Sequence, residues 1–422
     1  MVRRLYTLIL YMLMPVVVGR LIWRGWRNRE YWRRWGERFG RFPSPEMNSP
    51  IWIHAVSVGE VRAAQPLVRE IKQRWPAIPL LVTTTTPTGS EQVKALFGES
   101  VLHTYLPYDL PGPVKRFLDG AQPRLALIME TELWPNLFHG CASRKIPIII
   151  ANARLSARSL RGYRRVSSLI RETLRSIYLV AAQGEQDAER FRQLGMEADR
   201  IRVTGSMKFD QPLPEGLQKH AGELRRRLGE KRMLWIAAST HQGEEEQILD
   251  ALRQVRREHP DCLLMLVPRH PERFGRVAEL CSRAGFRVVR RSSGRPCDQD
   301  VDIFLGDTMG ELMLFYAASD VAFVGGSLVP TGGHNMLEPA ALGKPVIAGP
   351  HLFNFTEIAA AMERAGALCR VADGAELAEV TSRLLSSPEE RAGMGEAGRR
   401  LVQQNRGALQ RVLDLVRPCL EG

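Results

Sequence analysis

Glu60 closes the stretch HAVSVGE (54–60), which follows an apolar run and opens an amphipathic one. A carboxylate at that point can take a proton from a hydroxyl, and Gly59 lets a ligand approach the backbone closely. Ser57-Val-Gly-Glu60 is also an S-x-x-E capping box, which alone accounts for Glu60. A second apolar run ends in METELWPN (129–136). Its Glu130 and Glu132 share a face if the strand persists that far; otherwise they are first-turn acids before the helix near Pro135. Lys208, in VTGSMKFD (203–210), is placed to reach the same ligand, although a loop lysine is often simply solvated. Arg269 and His270 follow an apolar run directly in LVPRHPERF (266–274), a position suited to a phosphate or a nucleobase. Gly310 opens a helix in LGDTMGELMLFY (305–316), and Gly332-Gly333-His334-Asn335 opens another that bears Glu338. Helix starts favour anions, and Glu338 could accept ribose hydroxyls; tight turns would equally explain the glycines. Asp298-Gln299-Asp300 has bare D-x-D spacing but lies at a strand start, so no metal is invoked. No H-E-x-x-H, G-x-S-x-G or G-x-G-x-x-G occurs.

These stretches sit behind β-rich runs. In the first half the runs are Ile51–Ser57, Pro79–Thr86, Val101–Leu106, Leu125–Glu130, Ile146–Ala151, Tyr178–Gln183 and Ile201–Gly205. In the second they are Met233–Ala238, Cys262–Val267, Phe286–Arg290, Val301–Leu305, Val321–Val324 and Pro345–Ala348. Several are continuously apolar, as strands buried on both faces are, and amphipathic stretches separate them. Such alternation argues α/β architecture with parallel sheets and crossover helices. The polar, proline-containing segment 211–232 reads as a linker between a domain at 47–210 and a domain at 233–422. Two doubly wound, Rossmann-like domains normally hold ligand across a cleft, at the carboxyl ends of the strands.

The N-terminal segment 1–46 differs. Ten Arg against Glu30 and Glu37 give residues 1–42 a net charge of +8, of the chain's +13 over 422 residues. Leu5–Gly19 carries no charge, and its fifteen residues would span about 22 Å as a helix, short of a hydrocarbon core of ~30 Å. Residues 20–42 interleave Trp and Arg; Tyr31, Trp35, Phe39 and Phe42 recur at helical spacing, with Arg27, Arg34, Arg38 and Arg41 on another side. This reads as a membrane anchor followed by a basic aromatic helix against a lipid headgroup layer, or as a helix packed on its own domain. The excess of Arg behind the apolar run keeps the body cytoplasmic, and no signal-peptidase site follows. Basicity beside an anchor disfavours nucleic-acid binding. Six cysteines without C-x-x-C spacing read as reduced thiols.

HAVSVGE, METELWPN, TGSMKFD, VPRHPERF, GDTMGEL and GGHNMLEPA, in this order, resemble the 3-deoxy-D-manno-octulosonic acid (Kdo) transferases of lipopolysaccharide synthesis, as does the anchor followed by WRRWGERFGR. The likeness runs from about residue 5 to 415 and no motif position departs from it. It implies a glycosyltransferase-B fold and an inverting, metal-independent transfer of Kdo from CMP-Kdo to a tetraacylated lipid A precursor. It implies no cofactor, and a site on the cytoplasmic face of the inner membrane. Carried over, Glu60 is the catalytic base, and Glu130 and Lys208 stabilise the transition state. The CMP-binding residues are Pro268, Arg269, Met309, Gly310, Glu311, Asn335, Met336, Leu337 and Glu338. A carboxylate at Glu130 should repel an anionic sugar, so it either orients Lys208 or stabilises oxocarbenium character. The alternatives are a membrane-associated transferase of the same fold using a UDP-sugar, and a non-catalytic lipid- or nucleotide-binding module.

Overall fold

The computed structural model describes residues 2–27, 29–43, 48–210 and 213–421, and of Arg27 the backbone alone. The chain forms two compact units: Met1–Asp210 with Arg406–Gly422, and Gln211–Asn405. The boundary at 46/47 and the first two linker residues, 211 and 212, lie outside the described residues.

The first unit carries β1 (Ile51–His54), β2 (Leu80–Thr84), β3 (Leu102–Tyr105), β4 (Leu125–Met129), β5 (Ile148–Ala153), β6 (Leu179–Ala182) and β7 (Ile201–Val203). They form one sheet in the order β3-β2-β1-β4-β5-β6-β7, every pair parallel. The apolar runs make this possible, because helices cover both faces: Trp52, Ile128 and Ile150 face one core, Ile53, Leu127 and Ile149 the other. The strand order reverses direction at β1, between β2 and β4, which is the topological switch point of an open α/β sheet.

The second unit carries β8 (Leu234–Thr240), β9 (Leu263–Pro268), β10 (Val288–Arg290), β11 (Ile303–Leu305), β12 (Val321–Val324), β13 (Val346–Ala348) and β14 (Leu368–Arg370). Their order is β10-β11-β9-β8-β12-β13-β14, again all parallel. All strands expected from the sequence occur, most of them shorter at one or both ends. The three-residue edge strand β14, LCR, was not anticipated; only Leu368 of it is buried, so it lacks the apolar run that betrays the others.

The domain limits differ from the composition-based reading at both ends. Within 211–232, helix Leu217–Leu228 buries Leu217, Ala221, Leu224 and Leu228, one apolar stripe, into the second unit rather than linking two domains. At the other end, helix Ala408–Glu421 belongs to the first unit: Ala408, Val412, Leu413 and Val416 pack under its sheet. Asp210, the last residue of TGSMKFD, fastens that helix by accepting the Gly407 and Leu409 N–H groups at 2.6 Å each. An acceptor at a helix start satisfies otherwise orphaned donors.

The N-terminal segment is also not one anchor plus one basic helix. Helix Val2–Arg27 is followed by a 3-10 turn, Arg29–Trp32, and a single helical turn, Trp35–Arg38. Arg34 and Arg38 do not face lipid headgroups. Arg34 donates to Glu37 Oε1 (2.6 Å), Ser90 Oγ (3.1 Å) and the His103 carbonyl (2.8 Å). Arg38 is buried, donates to the Thr85 carbonyl at 3.1 Å and lies 4.2 Å from the Tyr105 ring centroid. Buried Glu37 completes the knot, accepting from Thr104 Oγ1 (3.0 Å) and Tyr105 N (2.9 Å). Arg41, by contrast, is exposed. Of the aromatics at helical spacing, Phe39 packs on Tyr108 and Phe42 on Phe117 (5.6 Å between ring centroids in each pair), whereas Arg24 lies over the Tyr31 ring and Trp35 Nε1 donates to the Tyr31 carbonyl (2.8 Å), within the N-terminal segment.

Leu413→Ala should destabilise the first unit by about 2–5 kcal/mol, as truncation of a fully buried leucine does, and Asp210→Ala by about 1 kcal/mol through the lost cap. Both are read by denaturant unfolding; an unchanged midpoint for Leu413→Ala would remove the terminal helix from the first unit's core.

Candidate active site

At the carboxyl ends of β1, β4 and β7 the first unit gathers three carboxyl groups and an ammonium. Ser57 caps helix Val58–Arg74, its Oγ accepting from the Glu60 N–H at 3.5 Å. Glu60 turns back toward the strand end: its Oε2 accepts the Val56 N–H at 2.8 Å and its Oε1 the Ser57 hydroxyl at 3.2 Å. The capping reading and the chemical one thus hold for the same side chain. Burial, followed by the charges of Glu130 and Glu132, pushes the Glu60 carboxyl up to about 7 despite these donors. A Cβ at Gly59 would meet only Ser57 Oγ, at 3.8 Å, so nothing in the chain crowds that position. His54, in the same motif, is no base: fully buried beside Thr83, it is held neutral with its pKa lowered to about 4.

The strand expected to carry Glu130 and Glu132 on one face stops at Met129. Glu130 has φ +56°, a left-handed conformation that non-glycine residues adopt reluctantly, while its N–H still pairs with the Ala151 carbonyl at 3.0 Å. That turn brings Glu130 Oε1 to 4.0 Å from Lys208 Nζ, with both side chains roughly a quarter exposed. Lys208 sits in the 3-10 turn Met207–Phe209, between two buried residues, and Asn152 Oδ1 holds the turn by accepting the Met207 N–H at 3.1 Å. Asn152 is itself left-handed (φ +54°), inside the bulge of β5. Glu132 has its pKa raised to about 7 by burial and by Glu130. The sequence noted Glu132 beside Glu130, but its burial was not legible there.

In the second unit, the carboxyl ends of β8, β9 and β12 draw three motifs together. The Arg269 N–H bonds to the Thr240 carbonyl (3.0 Å) and the Gly325 N–H to the Ala238 carbonyl (2.8 Å). The His241 ring stacks on His334 with 2.8 Å between their Nε2 atoms and meets His270 edge-on at 5.3 Å. One imidazole of a pair that close must donate and the other accept. Gly326 (φ +67°) is required here, since a Cβ would lie 2.9 Å from His334.

The backbone turn Gly326–Leu328 after β12 holds an anion of the chain itself. Glu244, fully buried, accepts the N–H groups of Gly326 (2.7 Å), Ser327, Leu328 and His241 (2.9 Å each). Glu245, also buried, pairs with Arg273 through both oxygens (2.6 and 3.0 Å) and accepts from Thr240 Oγ1 at 2.9 Å. Adjacent in sequence, the two acids serve different donors, which only the fold brings to them.

The remaining candidates are distributed around this edge. Asn335 donates to Glu338 Oε1 (3.1 Å) and its Oδ1 accepts the Leu337 N–H (3.2 Å), so the two side chains orient each other ahead of helix Leu337–Ala341. Met336 and Leu337 are buried beneath them. Met309 is exposed and Gly310 adopts φ +84° with open space where a Cβ would point. Glu311 is held by Arg291 in a bidentate pair (2.7 and 3.0 Å) that keeps its carboxyl below the usual range. The helices after Gly310 and Asn335 are seven and five residues long, so their dipoles add less than the sequence reading assumed. A pocket of about 710 Å³ is lined by Gly310, Glu311, Arg291, Arg226 and Arg227 among others, but not by Arg269 or the Asn335–Glu338 turn. Asp300 of the D-x-D spacing pairs with Arg287, and among the described residues no cluster of His, Cys, Asp and Glu has the makings of a metal site.

Glu132→Gln should stabilise the first unit at pH 8 and leave it nearly unchanged at pH 5. A carboxyl whose folded pKa lies near 7 keeps its proton through the interval above 4.5 in which the unfolded chain loses it. Stability therefore falls across that interval, and the full penalty, on the order of 1–3 kcal/mol, is present above pH 7. Equal gains at both pH values would show that the carboxylate is not desolvated.

Comparison with known proteins agrees with this layout. The family model "3-Deoxy-D-manno-octulosonic-acid transferase (kdotransferase)" matches residues 33–211, and "Glycosyl transferases group 1" matches 218–401. A Kdo transferase of Haemophilus influenzae is 45% identical, covering 99% of both chains, and one of Bordetella pertussis is 39% identical over the same shares. Among solved structures, a UDP-GlcNAc 2-epimerase of Neisseria meningitidis (TM-score 0.58, 14% identity, 87% of this chain and all of that one) shares the fold. So does a glycosyltransferase of Rickettsia africae (TM-score 0.54, 14% identity, 89% of this chain and all of that one). Full-length identity at this level, on a glycosyltransferase-B-like pair of parallel sheets, makes the chain an enzyme of the 3-deoxy-D-manno-octulosonic acid transferase family.

Proposed function

We propose that the enzyme transfers Kdo from CMP-Kdo to a tetraacylated lipid A precursor by one inverting displacement, without a metal, at the cytoplasmic face of the inner membrane. The observation that carries this reading is Glu60: a half-buried carboxyl with a pKa near 7, beside Glu130 and Glu132 and directly after the uncrowded Gly59. A base tuned to the working pH takes the proton of the acceptor hydroxyl as that oxygen attacks the anomeric carbon. The C–O bond to CMP breaks on the opposite face, and CMP leaves with the bonding pair. Attack and departure on opposite faces invert the configuration.

Lys208 offers its ammonium to charge that develops as CMP departs, and Glu130, at 4.0 Å, keeps it oriented. This favours the orienting role over direct stabilisation of an oxocarbenium ion. In the second unit, Pro268 and Arg269 at the end of β9, the Met309-Gly310-Glu311 turn and the Asn335–Glu338 turn take CMP. Arg269 meets the phosphate, and Glu338, steadied by Asn335, accepts ribose hydroxyls. Glu311, paired with Arg291, sets the turn that takes the nucleotide. A monophosphate leaving group concentrates less charge than a diphosphate, which is why cationic side chains suffice in this reading.

The test is mass spectrometry of the lipid product with CMP-Kdo generated in the same tube. Wild type should add one or more Kdo units, and Glu60→Gln should lose at least 100-fold in rate, the scale of general-base catalysis. Wild-type turnover should rise with pH through about 7 and level above it, since the base works deprotonated. Full turnover by folded Glu60→Gln would remove the base assignment; transfer from a UDP-sugar instead would remove the donor.

A further inference from the structure

The N-terminal helix is fastened to the first unit at its beginning as well as at its end. In its first two turns, Tyr6 OH donates to Asp109 Oδ2 (3.0 Å), and Arg3 Nη1 and Thr7 Oγ1 donate to Asn136 Oδ1 (3.2 and 3.0 Å). Asp109 and Asn136 are buried and built into the globular unit: Asp109 also accepts the N–H groups of Asn136 (3.0 Å) and Leu137 (2.7 Å) at the start of helix Pro135–Ser143. At the far end, Leu21 is buried and Trp32 Nε1 donates to the Ile22 carbonyl at 3.2 Å. The chain then re-enters the same unit through Arg34, Glu37 and Arg38.

Burial along the helix follows the same plan. Residues 3, 6, 7, 10, 14, 17, 18, 21 and 25 are covered wholly or in part, one stripe repeating every three to four residues. Leu5, Leu8, Met12 and Val16 on the outer stripe are 57%, 55%, 63% and 67% exposed, and Trp23 and Trp26 continue it at 52% and 75%. The helix is apolar all round because its two faces need two apolar partners, and the unit supplies one of them.

A helix of 26 residues is about 39 Å long and could cross a hydrocarbon core of ~30 Å. Crossing would carry Arg3, Tyr6 and Thr7 to the far side of the bilayer, away from Asp109 and Asn136. The two arrangements exclude each other. We infer that the helix does not span the membrane but lies along its surface, with the Leu5–Trp26 stripe sunk in a single leaflet and both ends on the side of the globular unit. The lipid surface is the partner the outer face fits: apolar residues in the middle, exposed Trp23, Trp26 and Trp32 at one end, and exposed Arg4, Arg20 and Arg24 toward headgroups. This goes beyond the reading of the N-terminal segment as a membrane anchor and does not depend on which sugar is transferred.

The test uses the full-length chain in native membranes, with a Val2→Cys variant and a membrane-impermeant maleimide. Labelling above the wild-type background should occur in inverted vesicles and not in intact spheroplasts. In the same vesicles, a Thr7→Cys/Asn136→Cys pair should cross-link under mild oxidant. Labelling of Val2→Cys in intact spheroplasts overturns the inference, whatever the pair does. A properly folded pair that fails to cross-link also overturns it. Purified protein should co-sediment with protein-free vesicles of phosphatidylethanolamine and phosphatidylglycerol; if it does not, the outer face is made for a protein partner, and the lipid assignment falls.

Discussion

A parallel sheet can be continued only by crossover helices, so every strand in each unit delivers its carboxyl end to the same edge. The chemistry of this chain follows from that constraint. HAVSVGE, METELWPN and TGSMKFD lie far apart in sequence, yet each begins where a strand of the first sheet ends. VPRHPERF and GGSLVPTGGHN stand in the same relation to the second sheet. Three non-glycine residues with left-handed backbone, Glu130, Asn152 and Ser239, mark where a strand must stop or bulge for a side chain to be re-aimed. Two of them act on one another's surroundings: Asn152 holds the turn that carries Lys208, and Glu130 meets Lys208.

Buried carboxylates serve two opposite ends in this protein. Glu244 and Glu245 are satisfied completely, one by four backbone N–H groups and the other by a guanidinium and a hydroxyl. Such groups fix loop conformation, and removing one leaves several buried donors without an acceptor. Glu60 and Glu132 are under-satisfied and face another carboxylate, so both are pushed toward neutral pH. The contrast separates acids that build a loop from an acid poised to exchange a proton, a distinction that the count of acidic residues in a motif does not make.

The N-terminal segment shows the same economy of contacts. Among its described side chains, Arg3, Arg34 and Arg38 knot the segment to the globular part, and Arg4, Arg20, Arg24, Arg29, Arg33 and Arg41 are left at the surface. A helix with apolar residues on every side then has the unit on one face and, in the arrangement proposed above, a leaflet on the other. With the proposed lipid acceptor, that arrangement would hold the body of the enzyme at the depth of the acceptor headgroup.

The α/β class, nearly every strand and the position of the motifs behind the strands were legible in the residues alone. Periodicity and apolar runs are local signals, and a parallel sheet converts them into position with little ambiguity. The sequence also carried the family, through six short motifs in order. The tertiary structure decided what depends on contacts between distant residues. It placed helix Ala408–Glu421 under the first sheet rather than the second, and made a helix of the expected linker. It closed the Gly326–Leu328 turn on Glu244 and turned Arg34 and Arg38 inward onto Ser90 and Thr85. It also tied Tyr6 to Asp109, 103 residues away. No periodicity encodes such pairings: a carboxylate's pKa, a cation's partner and the depth of a helix are set by which groups the fold brings near and how much water it leaves between them.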